Sequence, residues 1–179
     1  MAFAVVFDAN VLYPISLTDF FLTLAGYGLY RPHWSTEILR EVERNILEKN
    51  PRVTAEDLGY RFREMNRAYE GALVDPPKEL IDAMTNDPKD RHVLACAVAA
   101  QASVIVSFNV DDFPPAACDP YAIEVQHPDL FAEHIVSLGP EAARNAINEM
   151  SERTSHPYRT SEEIIKRLSE NLPKAIARL

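Results

Sequence analysis

The sequence predicts an α/β fold with a largely parallel sheet, followed by a set of C-terminal helices. Three observations carry this expectation. Two apolar runs, Phe3–Phe7 and Ser103–Ser107, read as strands buried on both faces. Between them, apolar residues recur at three- and four-residue spacing, the period of a helix with one buried face. After Gln126 the pattern is helical alone. Strands that alternate with helices are joined by crossovers, which set neighbouring strands parallel.

Each element follows in turn. The first strand spans about 3–8. Thr18 or Asp19 can cap a helix over Phe20–Tyr27 that Gly28 closes. Ser35 is placed to cap a helix from Thr36 to about Lys49, and Pro51 stops it. Thr54, with Glu56-Asp57 behind it, starts another helix to about Glu70. Leu73-Val74 reads as a short strand. Pro88 suits the first turn of a helix running through Ala100. Ser103–Ser107 is the second strong strand and Ala122–Val125 a third. Then come three helices, opened at His127-Pro128 and broken at Gly139-Pro140 and Ser155-His156-Pro157. This divides the chain into a main domain, 1–126, and a helical extension, 127–179.

The 179 residues are 47% hydrophobic and 25% charged, which fits a folded globular chain. No apolar run approaches a membrane span, and no basic segment precedes an apolar one at the N-terminus. With two unclustered cysteines, Cys96 and Cys118, a reducing cytoplasmic setting without membrane contact is expected. Cys96, in an Ala-rich helical stretch, reads as a small core residue. The net charge of −9 argues against a protein that grips phosphates by bulk charge. The distribution is uneven: residues 31–67 hold eight Lys/Arg against seven acids, and residues 68–112 hold three against eight.

The acids fall at particular places. Asp8 ends the first strand, with Asn10 two residues on. Ser107, Asn109, Asp111 and Asp112 follow the second strong strand. In open α/β sheets, ligands bind at the carboxyl ends of the strands. Asp90 lies near the start of the helix that follows Pro88 and shares the inward face of Leu94 and Ala97. In helix 36–49 the buried stripe is Ile38, Leu39, Val42 and Ile46. Glu41 and Glu43 flank it on opposite sides, and periodicity does not choose between them. Asp87 reads as a turn or cap residue, and His33 and His92 as surface or edge groups. Trp34 and Tyr60 are best accounted for by packing. Converging carboxylates repel: two charges 4 Å apart cost about 4 kcal/mol at an effective dielectric of 20. A divalent cation or protonation removes that cost. An all-oxygen set suits Mg²⁺ or Mn²⁺, and such ions support phosphoester hydrolysis.

The stretches "VVFDANVLYP", "EILREVERNIL" and "DPKDRHVLACAVAAQASVIVSFNVDDFP" together resemble PIN domains, and among them VapC-type toxins of bacterial toxin–antitoxin pairs. The resemblance covers about residues 3–125, and the C-terminal helices look like an extension carried by one subgroup. It implies a three-layer α/β/α domain and a metal-dependent endoribonuclease acting on RNA. It also implies an antitoxin protein as partner and a homodimer. It carries metal-ligand roles onto Asp8 and Asp90 and selects Glu41 over Glu43. Asn10 and Ser107 become supporting residues. Where many relatives place Asp directly after the strand, this chain has Asn109, so either Asp112 or Asn109 completes the set. Arg31, Arg40 and Arg44 are candidate phosphate contacts. The competing expectation is a PIN-like binding or scaffold protein with a weak site.

Overall fold

A computed structural model describes all residues, 1–179. Four parallel strands form one sheet: β1 (Phe3–Phe7), β2 (Tyr30–His33), β3 (Val104–Val106) and β4 (Glu124–Gln126), in the order β2-β1-β3-β4. Between β1 and β2 lie α1 (Ala9–Leu12) and α2 (Ile15–Ala25). Between β2 and β3 lie α3 (Thr36–Lys49), α4 (Ala55–Ala68), α5 (Lys78–Ala83) and α6 (Arg91–Ala99), and α7 (Pro115–Cys118) precedes β4. The extension holds α8 (Pro128–Leu138), α9 (Pro140–Arg153), α10 (Ser161–Ser169) and α11 (Pro173–Ile176). Helices on both sides of the sheet make the expected three-layer α/β/α architecture. The chain steps from β1 outward to β2, then crosses back over β1 to β3. Strand order therefore reverses between β1 and β3, the place where open α/β sheets form their ligand crevice.

Phe7 anchors the core, with ring centroids 5.3 Å from Phe21, 6.0 Å from Tyr30 and 5.9 Å from Phe131. Phe131 belongs to α8, so the extension contributes to the same apolar interior as the sheet. Two polar ties reinforce it. Arg153 of α9 donates to Asp19 Oδ1 at 2.8 Å and Thr23 Oγ1 at 2.6 Å, both on α2. Asp129, buried in α8, accepts the backbone N–H groups of Lys174 at 3.1 Å and Ala175 at 3.0 Å, which fixes α11.

The local chemistry explains most boundaries. Ser35 caps α3 by accepting the Ile38 N–H at 3.1 Å, and Thr54 with Asp57 forms a reciprocal capping box on α4. Cys96 is fully buried, as expected, and burial pushes its thiol up to about 12. No helix is long and apolar enough to cross a membrane.

Several elements differ from expectation. The helix expected at Phe20–Tyr27 begins at Ile15, immediately after Pro14. Thr18 lies inside it and donates its hydroxyl to the Leu12 and Pro14 carbonyls, so neither Thr18 nor Asp19 is the cap. β2 was not expected, because Arg31-Pro32 interrupts it. As an edge strand it tolerates the missing proline N–H. Leu73-Val74 shrinks to a single bridge, Leu73 against Trp34. The helix expected from Pro88 starts at Arg91, and Pro88–Asp90 form a turn before it.

Candidate active site

The reversal between β1 and β3 brings the groups that follow the two strands together. Asp8 is the N-cap of α1, and its Oδ1 accepts the Ala9 N–H at 2.7 Å. Its Oδ2 accepts the Ser107 hydroxyl at 2.7 Å and the Asn10 amide at 3.3 Å. Asn10 also donates to Ser107 Oγ at 3.1 Å, while its Oδ1 accepts the Phe108 N–H at 3.1 Å. Asn10 thus staples the end of β1 to the end of β3. Ser107, wholly buried, further accepts the Asn109 N–H at 3.1 Å. The stretch "FDAN" closes a turn of its own and "VSFN" meets it.

Asp8 is only 3% exposed, and burial raises its pKa above the ordinary value. The Ser107 and Ala9 hydrogen bonds oppose that rise, and the charge of Glu41 adds to it. Asp90 holds the N-cap position of α6 yet makes no cap hydrogen bond. Its backbone is fixed instead by the turn, where its N–H donates to the Asp87 carbonyl at 2.9 Å. Asp87 takes the expected turn role, accepting the Lys89 N–H at 3.0 Å. The Asp90 carboxyl is raised to about 7, first by burial, then by the charge of Asp8, with Asp112 and Glu41 adding to it. Asp112 lies on a 3₁₀ turn, Val110–Asp112, whose last carbonyl accepts the Asp87 N–H at 3.3 Å. That contact ties the segment after β3 to the segment before α6. Asp8, Glu41, Asp90 and Asp112 therefore share one electrostatic neighbourhood.

Glu41 arrives from α3 and hydrogen-bonds His92, Oε1 to Nε2, at 2.9 Å. Glu43 enters none of these contacts. His92 corrects the expectation of a surface group, since its side chain is only 11% exposed. Burial disfavours its charge, but the Glu41 hydrogen bond and charge outweigh that, and its pKa is raised. His33 is likewise buried, at 7% exposed. His92 shares the first turn of α6 with Asp90, which was the available clue. Asn109 is exposed, and its hydrogen bond into the site comes from its backbone N–H. Among the candidate phosphate contacts, Arg31 donates to the Ala2 carbonyl at 3.1 Å. Arg40 and Arg44 pair with Glu37 at 3.5 and 3.9 Å.

The donor set is carboxylate oxygen throughout, the chemistry of a hard dication. No group of three His, Cys, Asp or Glu side chains lies close enough together to hold a metal ion. Mg²⁺ seldom needs such a group, because it keeps several waters and takes one or two carboxylates. Burial is the first cause of the rise at both Asp8 and Asp90, and the charge of Asp8 adds to it at Asp90, a repulsion that a bound cation would relieve.

A parallel α/β sheet with acids gathered where its strand order reverses presents an acidic crevice at the edge where such sheets bind ligands. The chain belongs to the PIN domain family, whose sequence pattern matches residues 4–111. It is also 40% identical over 100 residues to the Mycobacterium tuberculosis protein named "Putative ribonuclease VapC50". That match covers 56% of this chain and 59% of the relative. No solved structure matches the chain.

Proposed function

We propose that the chain is a divalent-metal-dependent endoribonuclease that hydrolyses phosphodiester bonds in single-stranded RNA, and the toxin of a type II toxin–antitoxin pair. The carrying observation is the gathering of acids at the strand-order reversal, where Asp8, Glu41 and Asp112 all lie close enough to act on the Asp90 carboxyl. Asp8 and Asp90 would hold Mg²⁺ or Mn²⁺. Bound there, the ion supplies an activated water and offsets charge on the phosphate oxygens. Asp8 is fixed for this by Ala9, Ser107 and Asn10, so its carboxylate needs little reorganisation. From two further elements, Glu41 and Asp112 would orient the attacking water or hold a second ion. Asp112 completes the acidic set, because its carboxyl acts on Asp90 while Asn109 contributes only a backbone N–H.

The catalytic residues lie in 1–126, and 127–179 serves as the helical extension that packs against α2 and Phe7. The family membership and the name of the relative support an RNA substrate, and the sequence resemblance supports an antitoxin partner and a homodimer. The test is incubation with total RNA, with and without Mn²⁺, followed by mapping of the cut ends. Cleavage that needs the ion and disappears in Asp8→Asn and Asp90→Asn, both still folded by circular dichroism, is the expected result. Full activity in Asp8→Asn would end the proposal. RNA binding without cleavage under any divalent ion would favour a binding protein instead.

A further inference from the structure

Glu41 is the one acid of the group carried by a long side chain, and it reaches the site from α3 rather than from the sheet edge. Holding such a side chain in one rotamer costs about 1.5–2 kcal/mol of conformational freedom, so something must fix it. His92 does so from α6. Its Nε2 lies 2.9 Å from Glu41 Oε1. Arg44 approaches the same Oε1 at 4.0 Å, but its side chain is 66% exposed and the pair is correspondingly weak. Both contacts fall on one oxygen, and Glu41 Oε2 takes no hydrogen bond from the chain. The ring has no competing use, because Nδ1 is sealed from solvent without a partner.

We infer that His92 is a positioning residue, which binds Oε1 of Glu41 and so reserves Oε2 as the working oxygen of the site. The inference rests on the metal-dependent reading above. Groups that orient ligating or water-orienting carboxylates typically contribute about 10–100-fold in metal affinity or activity.

The experiment measures Mn²⁺ binding by calorimetry and RNA cleavage rates for the wild type, H92A, H92Q, E41A, E41A/H92A and D8N. H92A is expected to weaken Mn²⁺ binding about 10–100-fold and to lower kcat, with KM for RNA little changed. H92Q, whose amide N–H can reach Oε1, recovers most of the loss. E41A/H92A is expected to be no worse than E41A, because His92 acts only through Glu41. Losses that multiply in the double variant would overturn the inference, and so would an H92A that binds and cleaves like the wild type. Should H92A fail to fold, H92F and E41A/H92F, which keep a ring but lack the Nε2 donor, decide by the same additivity rule. D8N separates the two ideas. If D8N binds Mn²⁺ and cleaves like the wild type, the metal reading itself has failed, whatever His92 does.

Discussion

Replacing Asp90 by Asn is expected to stabilise the metal-free protein while abolishing cleavage. The Asp90 carboxyl ionises at about 7 instead of its ordinary 3.8, through burial first and then the charges of Asp8, Asp112 and Glu41. The folded chain therefore holds this proton to higher pH than the unfolded chain does. Between roughly pH 4 and 7 the folded state binds more protons, so stability falls as pH rises through that window. The unscreened cost at high pH is up to about 4 kcal/mol. Asp90 is only half-buried, and solvent screening reduces this to about 1–2 kcal/mol. Asn keeps the shape and removes the charge. In EDTA at about pH 8.5, Asp90→Asn should melt about 2–8 °C above the wild type by scanning calorimetry. At about pH 4.5 the gap should shrink to roughly a quarter, because the folded group is then protonated while the unfolded one is mostly ionised. Adding Mn²⁺ at the higher pH should raise the wild type by about 2.7 kcal/mol at a hundred times its Kd and leave the variant little changed. A variant less stable than the wild type at high pH, or a gain equal at both pH values, would refute the reasoning.

Two further outcomes follow from named contacts. Ser107→Ala removes the donor to Asp8 Oδ2 and an acceptor for both Asn10 and Asn109. Cleavage should fall about 10–100-fold in a steady-state assay with the fold retained, and unchanged turnover would show that Asp8 needs no support. Asp129→Ala deprives the Lys174 and Ala175 N–H groups of a charged acceptor worth about 1.5–3 kcal/mol. Hydrogen exchange should quicken first at those two amides, and unaltered protection there would contradict the anchoring role.

The strongly patterned elements were legible in the sequence. Phe3–Phe7 and Val104–Val106 are short apolar runs with no other use, and Ser35 and Thr54 name their helices' starts by their own side chains. β2 was not legible because Pro32 is tolerated only by virtue of the strand's edge position, and that is a property of the whole sheet. The start of α2 was misplaced because Thr18 resembles a cap, while its hydroxyl in fact turns back to the preceding carbonyls. At the site, Asp8 and Asp90 could be nominated from strand end and helix start. Glu41 could not be separated from Glu43 by periodicity, since the deciding fact is the position of His92 fifty-one residues away. The burial of His92 is likewise a tertiary fact, absent from its local neighbours.

The ring of Phe131 sets an order of events. It stands 5.1 Å from Tyr30 and 5.7 Å from Phe21, inside the interior that the first strands and helices enclose. A ribosome that has delivered every residue assigned to the catalytic pocket has not yet delivered this aromatic plug. The pocket's foundations therefore close only once residue 131 has been made, and a fragment ending at Gln126 would lack the ring that stands 5.9 Å from Phe7.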